Sequence, residues 1–315
     1  MSELVAIIDP IHAAGTARIA AAHPVIGADD PRFDQATIIV VRTTNIPESM
    51  IARMPHLHLI VKHGAGVDNI PISAATNRGI LVANTPGGQN ATAVAEGAVT
   101  LMLAVLRRVH EMDDLVRSGR FDQRWKVRLG DLTGARVGLI GFGRIARIVA
   151  KICGAGFGAD MAAHDPLLAA NDIQAAGVTP LDLPGLMGCD VISIHVPLGP
   201  GTRNLIGAEQ LALMHSHAII VNTSRGGIID ETALAAALAS GSIGGAGIDV
   251  FEHEPPPADH PFFALSNTVL GPHVAGVTGA SMKGMALGVA DVIDTVLVGG
   301  RPVTLINPEV LEGRL

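Results

Sequence analysis

Arg225, Glu254 and His273 each close a short apolar run: AIIVNTSRGG, GAGIDVFEHEP and TVLGPHVAG. A guanidinium, a carboxylate and an imidazole have complementary uses when delivered to one place. The guanidinium holds an anion in a rigid fork, and the imidazole moves a proton near neutral pH. The carboxylate raises the imidazole pKa and fixes its tautomer. All three residues follow RVGLIGFGRIA, which reads as strand, Gly-rich turn and helix start. In a doubly wound α/β sheet, residues just past the carboxyl ends of strands crowd into one crevice beside a bound nucleotide. Singly, each has a plainer use: Arg225 as a strand-end charge, Glu254 as a loop carboxylate, His273 as one of 13 histidines. Together they form the set that reduction of a 2-keto acid requires.

The nucleotide itself has a candidate seat. Gly141-Phe142-Gly143-Arg144-Ile145-Ala146 fits G-x-G-x-x-[GA], and a second match runs from Gly154 to Ala159. The pattern is weak alone, and context separates the two. The first follows an apolar strand and opens a helix; the second follows a helix and ends ahead of the next strand. Glycines at 141 and 143 permit a tight turn and close approach of pyrophosphate to a helix N-terminus. Asp165, 22 residues beyond Gly143, ends the run DMAAHD. An acid there accepts hydrogen bonds from the adenosine ribose and repels a 2′-phosphate, which favours NAD over NADP. Its plainer use is as a turn residue before Pro166.

These side chains need parallel strands to position them, and the chain supplies the pattern. Short β-rich runs alternate with helical ones from end to end, which implies an α/β protein with helices on both sheet faces. The first part offers strands at 5–9, 37–42, 57–63 and 80–85. A periodic segment from Ala91 to Ser118, without Pro, then predicts one continuous helix of about 27 residues, roughly 40 Å long. The second part offers six strands: RVGLIG, DMAAHD, VISIHV, AIIVNTS, GAGIDV and TVLG. The tail from Arg301 has too little apolar content to stand alone and is expected to return to the first domain.

Composition narrows the functional classes. At 315 residues, with 48% hydrophobic and 16% charged residues, two packed domains are affordable. A net charge of −7 argues against a nucleic-acid footprint. Cys153 and Cys189 are too few for a disulfide framework and read as reduced core residues. The apolar stretch AVAEGAVTLMLAVLRR is interrupted by Glu96 and too short for a bilayer, and the N-terminus lacks a signal-like pattern. A cytoplasmic location is the expectation. His56-x-His58 and His215-x-His217 have metal-site spacing but no carboxylate or Cys partner nearby in sequence, so no metal is expected.

Eight motifs in order now carry a resemblance: HGAGVDNI (63–70), NTPGGQNATAVAE (84–96), GFGRIA, HDP (164–166), HVPL (195–198), NTSRGG (222–227), GIDVFEHEP (247–255) and GPHVAG (271–276). The chain resembles D-isomer-specific 2-hydroxyacid dehydrogenases, nearest the D-3-phosphoglycerate dehydrogenase branch. The resemblance implies two doubly wound parallel-sheet domains. A Rossmann NAD-binding domain, 97–283, is inserted into a discontinuous flavodoxin-like substrate (lid) domain, 1–96 and 284–315.

It also implies roles. His273 is the acid–base group, paired with Glu254 and lying beside the nicotinamide, and Arg225 binds the substrate carboxylate. The loop Gly64-Ala65-Gly66 offers backbone amides to that carboxylate. NAD is the cofactor. Its pyrophosphate lies on the amides of Arg144 and Ile145, Val196-Pro197 walls the adenosine, and Thr223 and Asp249 meet the nicotinamide. Lys62 falls where phosphoglycerate-oxidising relatives place a phosphate-binding arginine. Asn77-Arg78 falls near a second such cation, displaced by one residue, and Arg124 or Lys126 is expected to supply a third from the other subunit. The expected substrate is a small D-2-hydroxy or 2-keto acid, with 3-phosphoglycerate ahead of glyoxylate or hydroxypyruvate, and the expected assembly is a homodimer. A related class of NAD-sensing corepressors shares the three polar residues, but those need a peptide-binding cleft and extended tails, which are not expected here. Formate dehydrogenase-like chains pair the histidine with Gln, against which Glu254 argues.

Overall fold

The structure, a computed structural model, describes residues 2–86 and 89–312. Gly87 and Gly88 of the NTPGGQ motif lie outside the described residues. The chain forms two compact units, Met1–Ala91 with Val277–Leu315, and Thr92–Gly276.

The discontinuous unit holds five parallel strands: β1 Val5–Ile7, β2 Val25–Ile26, β3 Ile38–Val41, β4 Leu59–Lys62 and β5 Leu81–Asn84. Their order, β2-β1-β3-β4-β5, is the flavodoxin-like winding. Both faces are buried, which is why these strands read as unbroken Val/Ile/Leu runs rather than alternating ones. Ile39, Val41, Ile60 and Val82 enter one core. Ile38, Val40, Leu59 and Val61 enter another, completed by Val289, Ala290 and Ile293 of the helix Gly279–Leu297. The two-residue strand β2 escaped the sequence reading because it is too short to carry a period.

Residues beyond that helix close the edge of β5. The buried Asn307 side chain accepts from the Val82 amide at 2.8 Å and donates to the carbonyl of Ile80 at 2.9 Å. The Ile306 amide donates to the Val82 carbonyl at 2.8 Å.

The continuous unit holds seven parallel strands: β6 Arg136–Ile140, β7 Asp160–His164, β8 Thr179–Pro180, β9 Val191–Ile194, β10 Ile219–Asn222, β11 Gly245–Ile248 and β12 Thr268–Leu270. They lie in the order β12-β11-β10-β9-β6-β7-β8, a Rossmann winding with one added strand at the β12 edge. All six strands expected here are present; β8, again two residues, is additional. The order reverses between β6 and β9, so ligands of such a sheet enter outside the carboxyl ends at that point.

The single helix expected over 91–118 is two helices, Gln89–Leu106 and Val109–Arg117. Arg108 between them has φ +48°, a left-handed conformation. The Leu106 carbonyl, at the end of the first helix, accepts instead from the Gly130 amide at 2.8 Å. Neither Gly nor Pro marks the break. A donor supplied from 24 residues away is invisible to a local pattern.

The second Gly-rich match also resolves. Ile152–Gly156 form a π turn that extends the helix Arg144–Lys151, so GAGFGA is a helix end rather than a strand–helix turn.

Candidate active site

The three polar residues project from successive turns past β10, β11 and β12. After β10, the Asn222 side chain accepts from the Ser224 amide at 3.0 Å and donates to the Arg225 carbonyl at 2.8 Å. This side-chain-to-backbone turn holds residue 225 at the sheet's carboxyl edge. The Arg225 guanidinium donates to the Ser224 carbonyl at 2.6 Å, which orients its stem. The next residue must be glycine. A Cβ on Gly226 would stand 2.0 Å from the carbonyl carbon and oxygen of Phe251, so the Arg225 and Glu254 turns lie backbone to backbone.

Glu254 uses both carboxylate oxygens. Oε1 accepts from the Phe251 amide at 3.1 Å, and Oε2 lies 2.8 Å from His273 Nδ1. Burial alone would raise its pKa. The His273 hydrogen bond, the Phe251 amide and the charges of His273 and Arg225 outweigh burial and hold it below the ordinary carboxylate range. The ionised acid places the ring proton on Nδ1 and directs Nε2 to exchange protons with a substrate. The imidazole is 44% exposed, so a small molecule can reach it.

His273 has φ +56°, the left-handed region that a β-carbon disfavours. Asp249 enforces that turn. Its backbone carbonyl accepts from the His273 amide at 2.7 Å, and its carboxylate accepts from the amides of Val274 and Ala275 at 3.0 and 2.7 Å. Asp249 is buried and committed to the histidine turn, a duty that the resemblance did not suggest.

The dinucleotide seat lies at the ends of β6 and β7 in the same unit. Gly141 has φ +86°, and a Cβ there would meet Val196 Cγ1 at 2.7 Å and the His195 carbonyl at 2.8 Å. A Cβ on Gly143 would meet no protein atom within 4 Å, so backbone faces open space where the helix Arg144–Lys151 begins. First-turn amides of a helix lack intrahelical acceptors and suit an anion. Ala146, in place of a third glycine, is fully buried against the core under that turn. The Asp165 carboxylate accepts from the Phe142 amide at 2.9 Å and the Leu167 amide at 3.0 Å, so it also ties the Gly-rich turn to β7.

His195 escaped the sequence reading, and Thr223, expected beside the nicotinamide, shares its state. The ring nitrogens of His195 and the hydroxyl of Thr223 are buried without a protein partner among the described residues. The His195 residue as a whole is only half-buried, yet both nitrogens are sealed, and burial pushes its pKa down to about 4. A histidine directly before the Val196-Pro197 wall was the available signal. An open cradle at Gly143, a helix N-terminus, an acid at the end of β7 and a buried hydroxyl at Thr223 without a partner among the described residues fit a nicotinamide dinucleotide.

Lys62 and Gly64–Gly66 belong to the discontinuous unit, at the carboxyl end of β4. Lys62 is only 8% exposed. Its ammonium donates to the Arg42 carbonyl and to Asn69 Oδ1, each at 2.5 Å. Gly64 has φ +132°, its amide donates to Thr85 Oγ1 at 2.9 Å, and the Asn84 side chain donates to the Ala65 carbonyl at 2.6 Å. The loop is thus held rigid with its shape prescribed by β5.

Lys62 and the second expected cation, Arg78, do not come together within their unit. Arg78 precedes β5 and donates to the Met54 carbonyl at 3.3 Å, at the opposite end of the sheet from Lys62. Arg124 stacks over Phe121 and Trp125, 4.4 and 4.7 Å from their rings.

The spaced histidine pairs have carboxylate partners after all: Glu3 lies 3.2 Å from His58, and Asp190 lies 2.7 Å from His217. No group of three or more potential metal ligands occurs among the described residues. No helix among them is long and apolar enough to cross a membrane.

Comparison with known proteins agrees with this geometry. Residues 99–275 match the family model described as D-isomer specific 2-hydroxyacid dehydrogenase, NAD binding domain. A glyoxylate reductase from Korarchaeum cryptofilum is 39% identical over 89% of this chain and 85% of its own. A D-3-phosphoglycerate dehydrogenase from Archaeoglobus fulgidus is 37% identical over 85% of this chain, which spans about half that relative's length, 50%. Among solved structures, an NADPH-dependent glyoxylate/hydroxypyruvate reductase from Sinorhizobium meliloti, crystallised with NADP and malonate, superposes with a TM-score of 0.86. The two are 27% identical, and 97% of each chain is covered.

Proposed function

Because the chain belongs to the D-isomer-specific 2-hydroxyacid dehydrogenase family, we propose that it reduces a short, unphosphorylated 2-keto acid to the D-2-hydroxy acid with NADH. Its class follows from membership: an oxidoreductase acting on CH–OH groups with a nicotinamide dinucleotide. The pairing of His273 with Glu254 at 2.8 Å, one strand from Arg225, carries the catalytic reading.

Gly141, Gly143, Arg144, Ile145, Asp165, Val196, Pro197, Thr223 and Asp249 would hold the dinucleotide, which supplies a hydride to the substrate C2. Arg225 grips the carboxylate and the carbonyl oxygen, drawing charge from C2. His273 Nε2 gives its proton to that oxygen as charge develops, and Glu254 compensates the positive ring before and stabilises its tautomer after. The amides of Gly64, Ala65 and Gly66 are assigned to substrate binding, with Lys62 bracing their loop.

The unphosphorylated substrate is favoured by the dispersed cations: Lys62 is buried between two carbonyl oxygens, and Arg78 lies at the far end of its sheet. The phosphoglycerate reading keeps support from relatives at 37 and 38% identity. Initial rates with glyoxylate, hydroxypyruvate and pyruvate under NADH, set against 3-phosphoglycerate under NAD, separate the two. A larger kcat/KM for 3-phosphoglycerate than for every keto acid would replace the proposed substrate. The exposed apolar side chains of Phe121 and Trp125, the latter 82% exposed, support pairing of two copies through this segment.

A further inference from the structure

Glu254 sits on an irregular stretch, residues 252–260, where no strand or helix fixes the backbone. Its position relative to His273 therefore has to come from side chains. One carboxylate holds both ends of the stretch. Glu231 Oε1 accepts from the Glu252 amide at 2.7 Å, and Glu231 Oε2 lies 3.0 Å from His260 Nε2. The two partners are almost sealed from water, at 6% exposure for the His260 side chain and 17% for that of Glu231.

His260 is committed in turn. Its Nδ1 accepts from the Phe262 amide at 3.4 Å, which places the ring proton on Nε2, facing Glu231. The rings of Phe251, Phe262 and Phe263 surround it, with centroids 5.4, 4.7 and 5.6 Å away. Glu231 itself cannot drift, since it opens the helix Glu231–Ser240, capped by Asp230. That helix starts directly after the turn that carries Arg225.

We propose that Glu231 and His260 form a positioning pair that clamps both ends of the 252–260 segment and so sets the Glu254 carboxylate against His273 Nδ1. The proposal rests on the reading of His273 and Glu254 as the acid–base pair, and adds the groups that hold it. Neither member touches the reacting atoms; both act through Glu254. The other charged groups around the clamp are Glu252 and Arg203, joined at 3.1 Å, and around the histidine they are Arg225 and Asp249.

The test reads His273 directly, so its result does not depend on which substrate the enzyme takes. The His273 ring is titrated by NMR in the full-length protein and in variants, with Tm measured alongside. Glu254→Gln sets the reference, the downward displacement of the His273 titration when the adjacent anion is lost. Glu231→Gln and His260→Phe are expected to produce at least half of that downward shift. His260→Gln, whose amide supplies both a donor and an acceptor, restores the wild-type titration. An unmoved His273 titration in a folded Glu231→Gln protein, with or without a lower Tm, overturns the proposal. Where His260→Phe fails to fold, Glu231→Gln and His260→Gln decide. Failure of every keto acid to be turned over would count against the proposed function and leave this titration result standing.

Discussion

Arg225, Glu254 and His273 meet because each obeys a different local rule. Asn222 closes the turn before Arg225, Asp249 ties down the left-handed turn at His273, and Glu254 is fixed by the Phe251 amide. The guanidinium is the least replaceable of the three. Arg225→Lys keeps the charge but loses the paired geometry, and a charge-assisted hydrogen bond contributes about 1.5–3 kcal/mol. Steady-state kinetics should show KM raised and kcat lowered, with kcat/KM down by roughly 10- to 100-fold; an unchanged KM would remove Arg225 from the carboxylate. His273→Ala in the same assay should lower kcat by about 10² to 10⁴. These three residues were legible in sequence because a polar residue closing an apolar run lies at a sheet's carboxyl edge whatever surrounds it. Lys62, Asp249 and His195 were not legible in the same way. What each does depends on partners supplied by distant segments, such as the Arg42 carbonyl under the Lys62 ammonium.

Elements transmit these constraints through close backbone approach, and two glycines separate binding from architecture. Gly143 has extended backbone and open space beyond its α-carbon, whereas Gly226 abuts the Phe251–Glu252 peptide. Gly143→Ala should leave Tm within a degree or two and raise KM for NADH, since the new methyl occupies room that only the dinucleotide would claim. Gly226→Ala must push two catalytic turns apart, at a cost of about 1–3 kcal/mol, and should lower both Tm and kcat. Calorimetry and kinetics on the pair distinguish the cases, and equal Tm losses would contradict the geometry. The alternation of strand and helix was readable throughout, as were the long strands, because burial on both faces leaves an unmistakable apolar run. The break at Arg108 and the two-residue strands were not, since a carbonyl captured by Gly130 and a two-residue pairing have no periodic signature.

At the scale of the whole molecule, His195 in one unit and Asp9 in the other have displaced pKa values, and the two respond to acid in different windows. His195, in the continuous unit, stays neutral down to about 4, while an unfolded histidine takes its proton near 6.5. Its contribution is complete above pH 6.5 and is lost as the pH falls to 4, on the order of 3 kcal/mol. Asp9, in the other unit, is buried, which opposes ionisation. Hydrogen bonds from Thr44, Arg42 and Thr43 overcome that and lower its pKa to about 2. Its contribution is present above the ordinary carboxyl value and is lost only as the pH drops through 2. Scanning calorimetry from pH 7 downward should therefore show Tm falling in two stages. His195→Met should flatten the upper one and Asp9→Asn the lower. A wild-type Tm that is constant between pH 6.5 and 4 would exclude a neutral, sealed His195.

The Asn307 hook on β5 has a consequence for the order in which the protein is made. Residues 92–276 emerge from the ribosome as one uninterrupted stretch and can collapse on their own. The first sheet must wait, its outermost strand unguarded, until the segment carrying Asn307 is translated. A chain released early, or clipped after residue 300, keeps the nucleotide-binding half yet exposes a raw β edge of the kind that recruits other polypeptides.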